Sequence, residues 1–189
     1  LSKGATKSTS EKVQKAKLPS RQEAMAMLKE AGADDKLIAH CRAVTALAVK
    51  IASKCKGEVD IELVKIGSLL HDIGRTSNHG ITHGVEGAKM LRKLGLPAEV
   101  VRIAERHIGG GLTTGDAERL GLPKKSYVPK TLEEKIVAHA DNLISGSKRA
   151  PVSEAISHMI RLQEVEAARR ILSLHKELSE LCGRDLDRL

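Results

Sequence analysis

Asp60-Ile61-Glu62-Leu63-Val64-Lys65-Ile66-Gly67-Ser68-Leu69-Leu70-His71-Asp72-Ile73-Gly74 is a largely apolar run closed by an adjacent His and Asp and then by Gly. Its apolar positions follow helical rather than alternating spacing, which predicts a helix over residues 60–73. Successive side chains on a helix diverge by about 100°. One helix end therefore offers two polar groups, His71 and Asp72, to a single inward space. A buried imidazole or carboxylate is costly unless something compensates it, so the question becomes what shares that space.

Outward from this run, the same spacing predicts helices over residues 35–54, 82–94, 98–108, 131–144 and 153–181, with room for two helices in the last. Ser20-Arg21-Gln22-Glu23 reads as a capping box that opens a short helix, which Gly32 ends. Gly and Pro punctuate every segment, and Gly-rich loops are expected over residues 74–80 and 109–129. No stretch alternates well enough to predict a strand. The expected class is all-α, a helical bundle.

The 189 residues are 41% hydrophobic but only 1% aromatic, so the core must be built from Leu, Ile, Val, Ala and Met, and stacking of bases on aromatic rings is nearly excluded. Cys41, Cys55 and Cys182 are scattered and read as small hydrophobes, not as a disulfide framework or a thiolate zinc site. No window approaches the roughly 18 consecutive apolar residues of a membrane span, and no signal peptide is visible, so a soluble cytoplasmic protein is expected. The formal net charge is +8, and half of the excess falls in residues 1–19, where Lys3, Lys7, Lys12, Lys15 and Lys17 face Glu11 alone. That stretch is too poor in apolar residues to repay its ordering entropy, so a flexible basic tail is expected ahead of one domain over residues 20–189. Basic excess invites a nucleic-acid partner, but its confinement to the tail does not favour one.

Polar residues on apolar helix stripes mark the inward space. His40 shares a stripe with Leu37, Val44 and Leu47; His83 with Gly87, Met90, Leu91 and Leu94; His107 with Val100, Ile103 and Ala104; Asp141 with Val137 and Ile144. Any one of these histidines alone would read as a hydrogen-bonded core residue. Six such residues from five helices would each need a separate buried partner, and one divalent-cation site satisfies all of them. Imidazole and carboxylate without thiolate disfavour structural zinc and suit Fe(II), Mn(II), Ni(II), Co(II) or Mg(II) with open positions. Asp72 is the natural bridging carboxylate if two ions sit together, an arrangement suited to phosphoryl hydrolysis. His139 falls on the polar side of its helix with Lys135 and Asn142, and His158 and His175 lie in the terminal helices; these three are expected to be structural or solvent-facing.

His40, then His71-Asp72-Ile73-Gly74, then His83 ahead of Gly87-Ala88, then His107, then Asp141 resembles the HD-domain metal-dependent phosphohydrolase superfamily in its HDIG subgroup. The match spans residues 36–144, and the triple Gly109-Gly110-Gly111 and the Cys182-Gly183-Arg184-Asp185-Leu186 ending are similar to a small archaeal HDIG family. The resemblance implies a helical bundle in which His40, His71, Asp72 and Asp141 hold one ion and Asp72, His83 and His107 a second. It also implies hydrolysis of a phosphate ester of a small nucleotide or nucleotide-like compound, 2′,3′-cyclic phosphates among them, with His71 and Asp72 at the catalytic centre. A nucleotide-binding sensor without turnover and an RNA-end-processing phosphoesterase are the competing readings. The sequence leaves pairing of chains into a homo-oligomer open.

Cations beside the ligands are the expected phosphate binders: Arg75 and His79, then Lys148 and Arg149. Arg75 equally suits a helix C-cap, since cations are favoured there. Gly109-Gly110-Gly111 reads either as a helix stop or as a phosphate cradle, and Tyr127 as packing or as a stacking platform.

Overall fold

The computed structural model describes residues 17–189. Most of the stretch expected as a basic tail lies outside the described residues; positions 17–19 carry no regular structure. Helix α1 (Arg21–Glu30) opens on the capping box, Ser20 accepting from the Glu23 N–H and the Glu23 carboxylate accepting from the Ser20 N–H. Then follow α2 (Asp35–Ala52), α3 (Ile61–Leu70), a 3-10 turn (Ile73–Thr76), α4 (His83–Lys93) and α5 (Ala98–Arg106). After these come α6 (Thr114–Arg119), α7 (Leu132–Asn142), α8 (Val152–Arg161) and α9 (Val165–Cys182).

The helix expected over residues 60–73 stops at Leu70. His71 caps it, Asp72 turns the chain, and the 3-10 turn takes up Ile73-Gly74. The loop expected over residues 109–129 contains α6, which a capping box starts: Thr113 Oγ1 accepts from the Asp116 N–H and Asp116 accepts from the Thr113 N–H. A two-residue ladder, β1 (Ile144–Ser145) with β2 (Lys148–Arg149), departs from the expectation of no strand. It is a tight hairpin, turned by Gly146 at φ +60, where a residue without Cβ is strain-free.

Helix α3 is apolar on nearly every side because it is covered on nearly every side, by α1, α2, α5 and α7. Its Gly67 lets α5 approach closely: a Cβ there would lie 2.4 Å from the Ile103 side chain. The hairpin of α8 and α9 closes against α7. His139 corrects the sequence expectation, for it is fully buried, its Nε2 3.0 Å from Nδ1 of His175, whose Nε2 is 3.1 Å from Asp185. The side of α7 that reads as polar is covered by α9, where Lys135 pairs with Glu177, and by the loop after α5, where Asn142 donates to the Gly109 carbonyl. Burial, then the charges of His175 and Arg149, push His139 down to about 3, so it stays neutral. No helix among the described residues is long and apolar enough to cross a membrane.

Candidate metal centre

Five elements end or pass at one place. His71 and His107 are the C-caps of α3 and α5, Asp141 lies in the last turn of α7, His83 is the first residue of α4, and His40 sits within α2. Three helix C-termini thus converge, and their partial negative charge adds to that of Asp72 and Asp141 to favour a cation.

Each of the four imidazoles is oriented the same way. His71 Nδ1 is 2.6 Å from the Ser68 carbonyl, His83 Nδ1 2.7 Å from that of Gly80, and His107 Nδ1 2.8 Å from that of Ala104, in every case three residues upstream. His40 Nδ1 is 2.7 Å from the Gly146 carbonyl, supplied by the hairpin. A carbonyl oxygen only accepts, so each Nδ1 carries a hydrogen, and each ring, when it holds no second proton, turns its Nε2 lone pair inward. This is how proteins orient histidine ligands.

The Nε2 atoms meet the two carboxylates. Asp72 Oδ2 lies 3.5 Å from His40 and 3.7 Å from His71, while its Oδ1 lies 3.3 Å from both His83 and His107. Asp141 Oδ1 is 3.0 Å from His40 and 3.5 Å from His71. Asp72 therefore points one oxygen at each of two groups of ligand atoms. His83 and His107 bring their Nε2 atoms within 3.0 Å of each other, and two facing lone pairs need a proton or a cation between them. Buried His71 Nε2 and Asp72 Oδ1 have no hydrogen-bond partner. Those orphaned atoms and the donor set fit divalent metal: His40, His71 and Asp72, then His71, His107 and Asp141, then Asp72, His83 and His107 each bring ligand atoms within 4.8 Å of one another.

The charges follow from the packing. Burial works against charge on Asp72, but the neighbouring His71, His107 and Arg75 prevail and hold its carboxyl well below the usual range. Burial opposes charge on Asp141 as well, but the imidazoles of His40 and His71 outweigh it and lower its carboxyl. Burial opposes charge on His71 too, yet Asp72 and Asp141 raise it well above an ordinary histidine. His83 goes the other way, pushed down to about 4 by burial and the charge of His107. Protonated His71 thus stands where a metal's charge is wanted, and an entering cation must displace that proton. Metal uptake is expected to release protons and to weaken as pH falls below the raised His71 value. Calorimetry in two buffers of different ionisation heat checks this; a binding heat independent of buffer would contradict it.

Among the expected phosphate binders, Arg75 donates through Nε to Asp72 Oδ2 at 2.6 Å and lines both clefts that open from the centre. Exposed His79 lines the second cleft and joins none of the ligand groupings. Arg149 is a correction: its guanidinium donates to the Leu143 and Leu186 carbonyls and ties down the C-terminal segment. Lys148 sits exposed on the hairpin and lines neither cleft. Tyr127 packs with Val85, Ala117 and Leu122, its hydroxyl donating to the Pro123 carbonyl. The glycine run is taken up in the fold: the Gly109 carbonyl accepts from Asn142 and that of Gly111 from Arg170, while the Gly111 N–H donates to the Ile108 carbonyl.

A family model described as HD domain matches residues 37–146. The chain belongs to the HD domain family. Within that family it is 46% identical over 165 residues to an uncharacterized protein of Methanocaldococcus jannaschii, covering 85% of this chain and 97% of that one. It is 47% identical over 181 residues to a Thermoplasma volcanium protein named tRNA (cytidine(56)-2′-O)-methyltransferase, covering 95% of this chain and 53% of that one. The chain thus spans about half the length of that relative. The HD domain of the Listeria monocytogenes phosphodiesterase PgpH, solved in complex with cyclic-di-AMP, superposes with a TM-score of 0.52 at 18% identity, covering 84% of this chain and 96% of that one. At that identity the likeness is one of fold.

Proposed function

We propose that this HD protein is a metal-dependent phosphohydrolase that cleaves a phosphoric ester of a small nucleotide-like compound. The observation that carries the reading is the convergence of four Nε2 atoms on two carboxylates, with buried His71 Nε2 and Asp72 Oδ1 left without a hydrogen-bond partner. His40, His71, Asp72 and Asp141 would hold one ion and Asp72, His83 and His107 the other, from among Fe(II), Mn(II), Ni(II), Co(II) and Mg(II). Bound there, such ions supply Lewis acidity and a water acidic enough to act near neutral pH.

The chain's own groups do the rest. Arg75 fixes the Asp72 carboxylate with one N–H and keeps its remaining donors facing the clefts, where a phosphoryl oxygen would lie. Two clefts, of about 580 and 400 Å³, meet at His40 and Arg75. A phosphorus at that junction has room for a substituent on each side, which favours a diester, linear or 2′,3′-cyclic, over a monoester.

A second reading, RNA as substrate, is favoured by the tRNA-directed name of the Thermoplasma relative. One experiment separates the readings. Protein purified anaerobically is analysed for metal and assayed with Fe(II), Mn(II) and Ni(II) on monoesters, dinucleotides, 2′,3′-cyclic phosphates and RNA ends. Diester turnover that a chelator abolishes and metal restores is expected. Nucleotide binding without product would establish a sensor, and turnover on RNA that falls steeply with salt and on removal of residues 1–19 would establish the RNA enzyme. Hydrolysis that persists without metal would remove the proposal.

A further inference from the structure

We propose that the larger cleft carries a second anion-binding subsite, built by His158 and Arg161 of α8, which holds a negatively charged group of the substrate at the end remote from the metal-ligand cluster. This rests on the phosphodiester reading and narrows it to substrates with two anionic groups separated by an apolar body.

The cleft has a direction. Its near end is His40 and Asp141, and the hairpin turn whose Gly146 carbonyl accepts from His40 leads within a few residues into α8. The helix then runs along the cleft wall. Glu154, Ala155, His158, Met159, Arg161 and Leu162 all line it, the spacing of a single helix face. From Glu154 to Arg161 is seven residues, about 10 Å of axial rise.

Charge along this wall is unevenly compensated. Three other arginines line the cleft, and each is engaged: Arg75 with Asp72, Arg119 with Glu164 and Asp116, and Arg170 with Asp116 and the Gly111 carbonyl. Neither His158 nor Arg161 has an ion-pair or hydrogen-bond partner through its side chain among the described residues. Glu154 shares their face one turn before His158 and two turns before Arg161, and Glu164 beyond them is paired with Arg119, so the Arg161 guanidinium is left without a carboxylate. Between the two ends the wall is apolar, with Ile108, Ile144, Met159 and Ile171, and Leu162 beside Arg161 is 56% exposed. Exposed apolar surface flanking an unpaired guanidinium suits the edge of an organic ring that bears a phosphate or carboxylate. The cleft volume of about 580 Å³ is that of a small-ligand site.

The test uses the metal-loaded protein and two matched diesters, the dinucleotides ApA and pApA, which differ only in a terminal phosphate. Wild type is expected to favour pApA by about tenfold in KM, the worth of one charge-assisted hydrogen bond. Arg161→Ala should erase that preference, Arg161→Lys should keep part of it, and His158→Ala should weaken it. A dicarboxylate-bearing analogue in place of the terminal phosphate distinguishes the two kinds of anion. An unchanged preference in Arg161→Ala, or none in wild type, overturns the subsite. If wild type hydrolyses neither compound, the phosphohydrolase reading fails separately, and calorimetric binding of the same pair to wild type and Arg161→Ala decides the subsite: equal affinities everywhere, or no binding, overturn it.

Discussion

Replacing Asp72 by Ala is expected to abolish turnover and to empty the metal centre in the same step. Asp72 faces both halves of the cluster, Oδ2 toward His40 and His71 and Oδ1 toward His83 and His107. Its removal takes away the shared anion and leaves Arg75 at the centre without its carboxylate. A bound cation would then meet a guanidinium instead of a bridging ligand. Loss of activity of ~10³-fold or more follows if the centre stabilises transition-state charge as such sites do. Metal analysis beside initial rates on a diester checks it, with far-ultraviolet circular dichroism to show that the helices persist. An Asp72→Ala protein that turned over substrate with no bound metal would end the mechanism; one that bound as much metal as wild type would end the ligand role of Asp72.

Four of the six members of that cluster, His40, His83, His107 and Asp141, were legible in the sequence because each interrupts an apolar stripe, and His71 and Asp72 because they close an apolar helix; both are local signals. His139 shows where such a signal stops. A helical stripe identifies one buried face, and α7 is buried on two, against α2 and α3 on one side and α9 on the other. Nothing local to residues 132–142 says that a later helix will pair with Lys135 and His139. Helix α6 was readable in principle: Thr113 and Asp116 stand three apart at its start, a capping pair with Asp in place of the usual Glu. Arg149 and the clefts were not readable at all. The carbonyls that Arg149 meets are at positions 143 and 186, and the cleft walls come from segments as far apart as His40 and Ile171. The His40 ligand geometry has the same character, because its orienting carbonyl belongs to Gly146, over a hundred residues on. The other three imidazoles take theirs from three residues upstream, so most of the centre is written locally.

Gly74→Ala is expected to damage both stability and the second half of the centre. Its φ is not in the left-handed region, so backbone freedom is not what requires glycine here. Room is. A Cβ at position 74 would lie 2.0 Å from the His83 carbonyl oxygen and 2.6 Å from the Gly87 nitrogen, and both are backbone atoms that cannot swing aside. The first turn of α4 rests directly on the turn that follows Asp72. To admit a methyl group, α4 must retreat by about 1 Å, and overpacking of this kind costs about 3 kcal/mol. The retreat carries His83 with it, away from His107 and Asp72, which it now meets at 3.0 and 3.3 Å. A displacement of about 1 Å at a reacting centre is worth roughly 10²-fold in rate. The expected variant is folded but weakened, holds less metal, and is slow. Urea unfolding, metal analysis and initial rates read the three effects. Gly115→Ala, whose Cβ would find its nearest neighbour at 3.8 Å, is the control that should leave all three near wild type. Wild-type stability and full metal content in Gly74→Ala would show that α4 is not seated on the Asp72 turn.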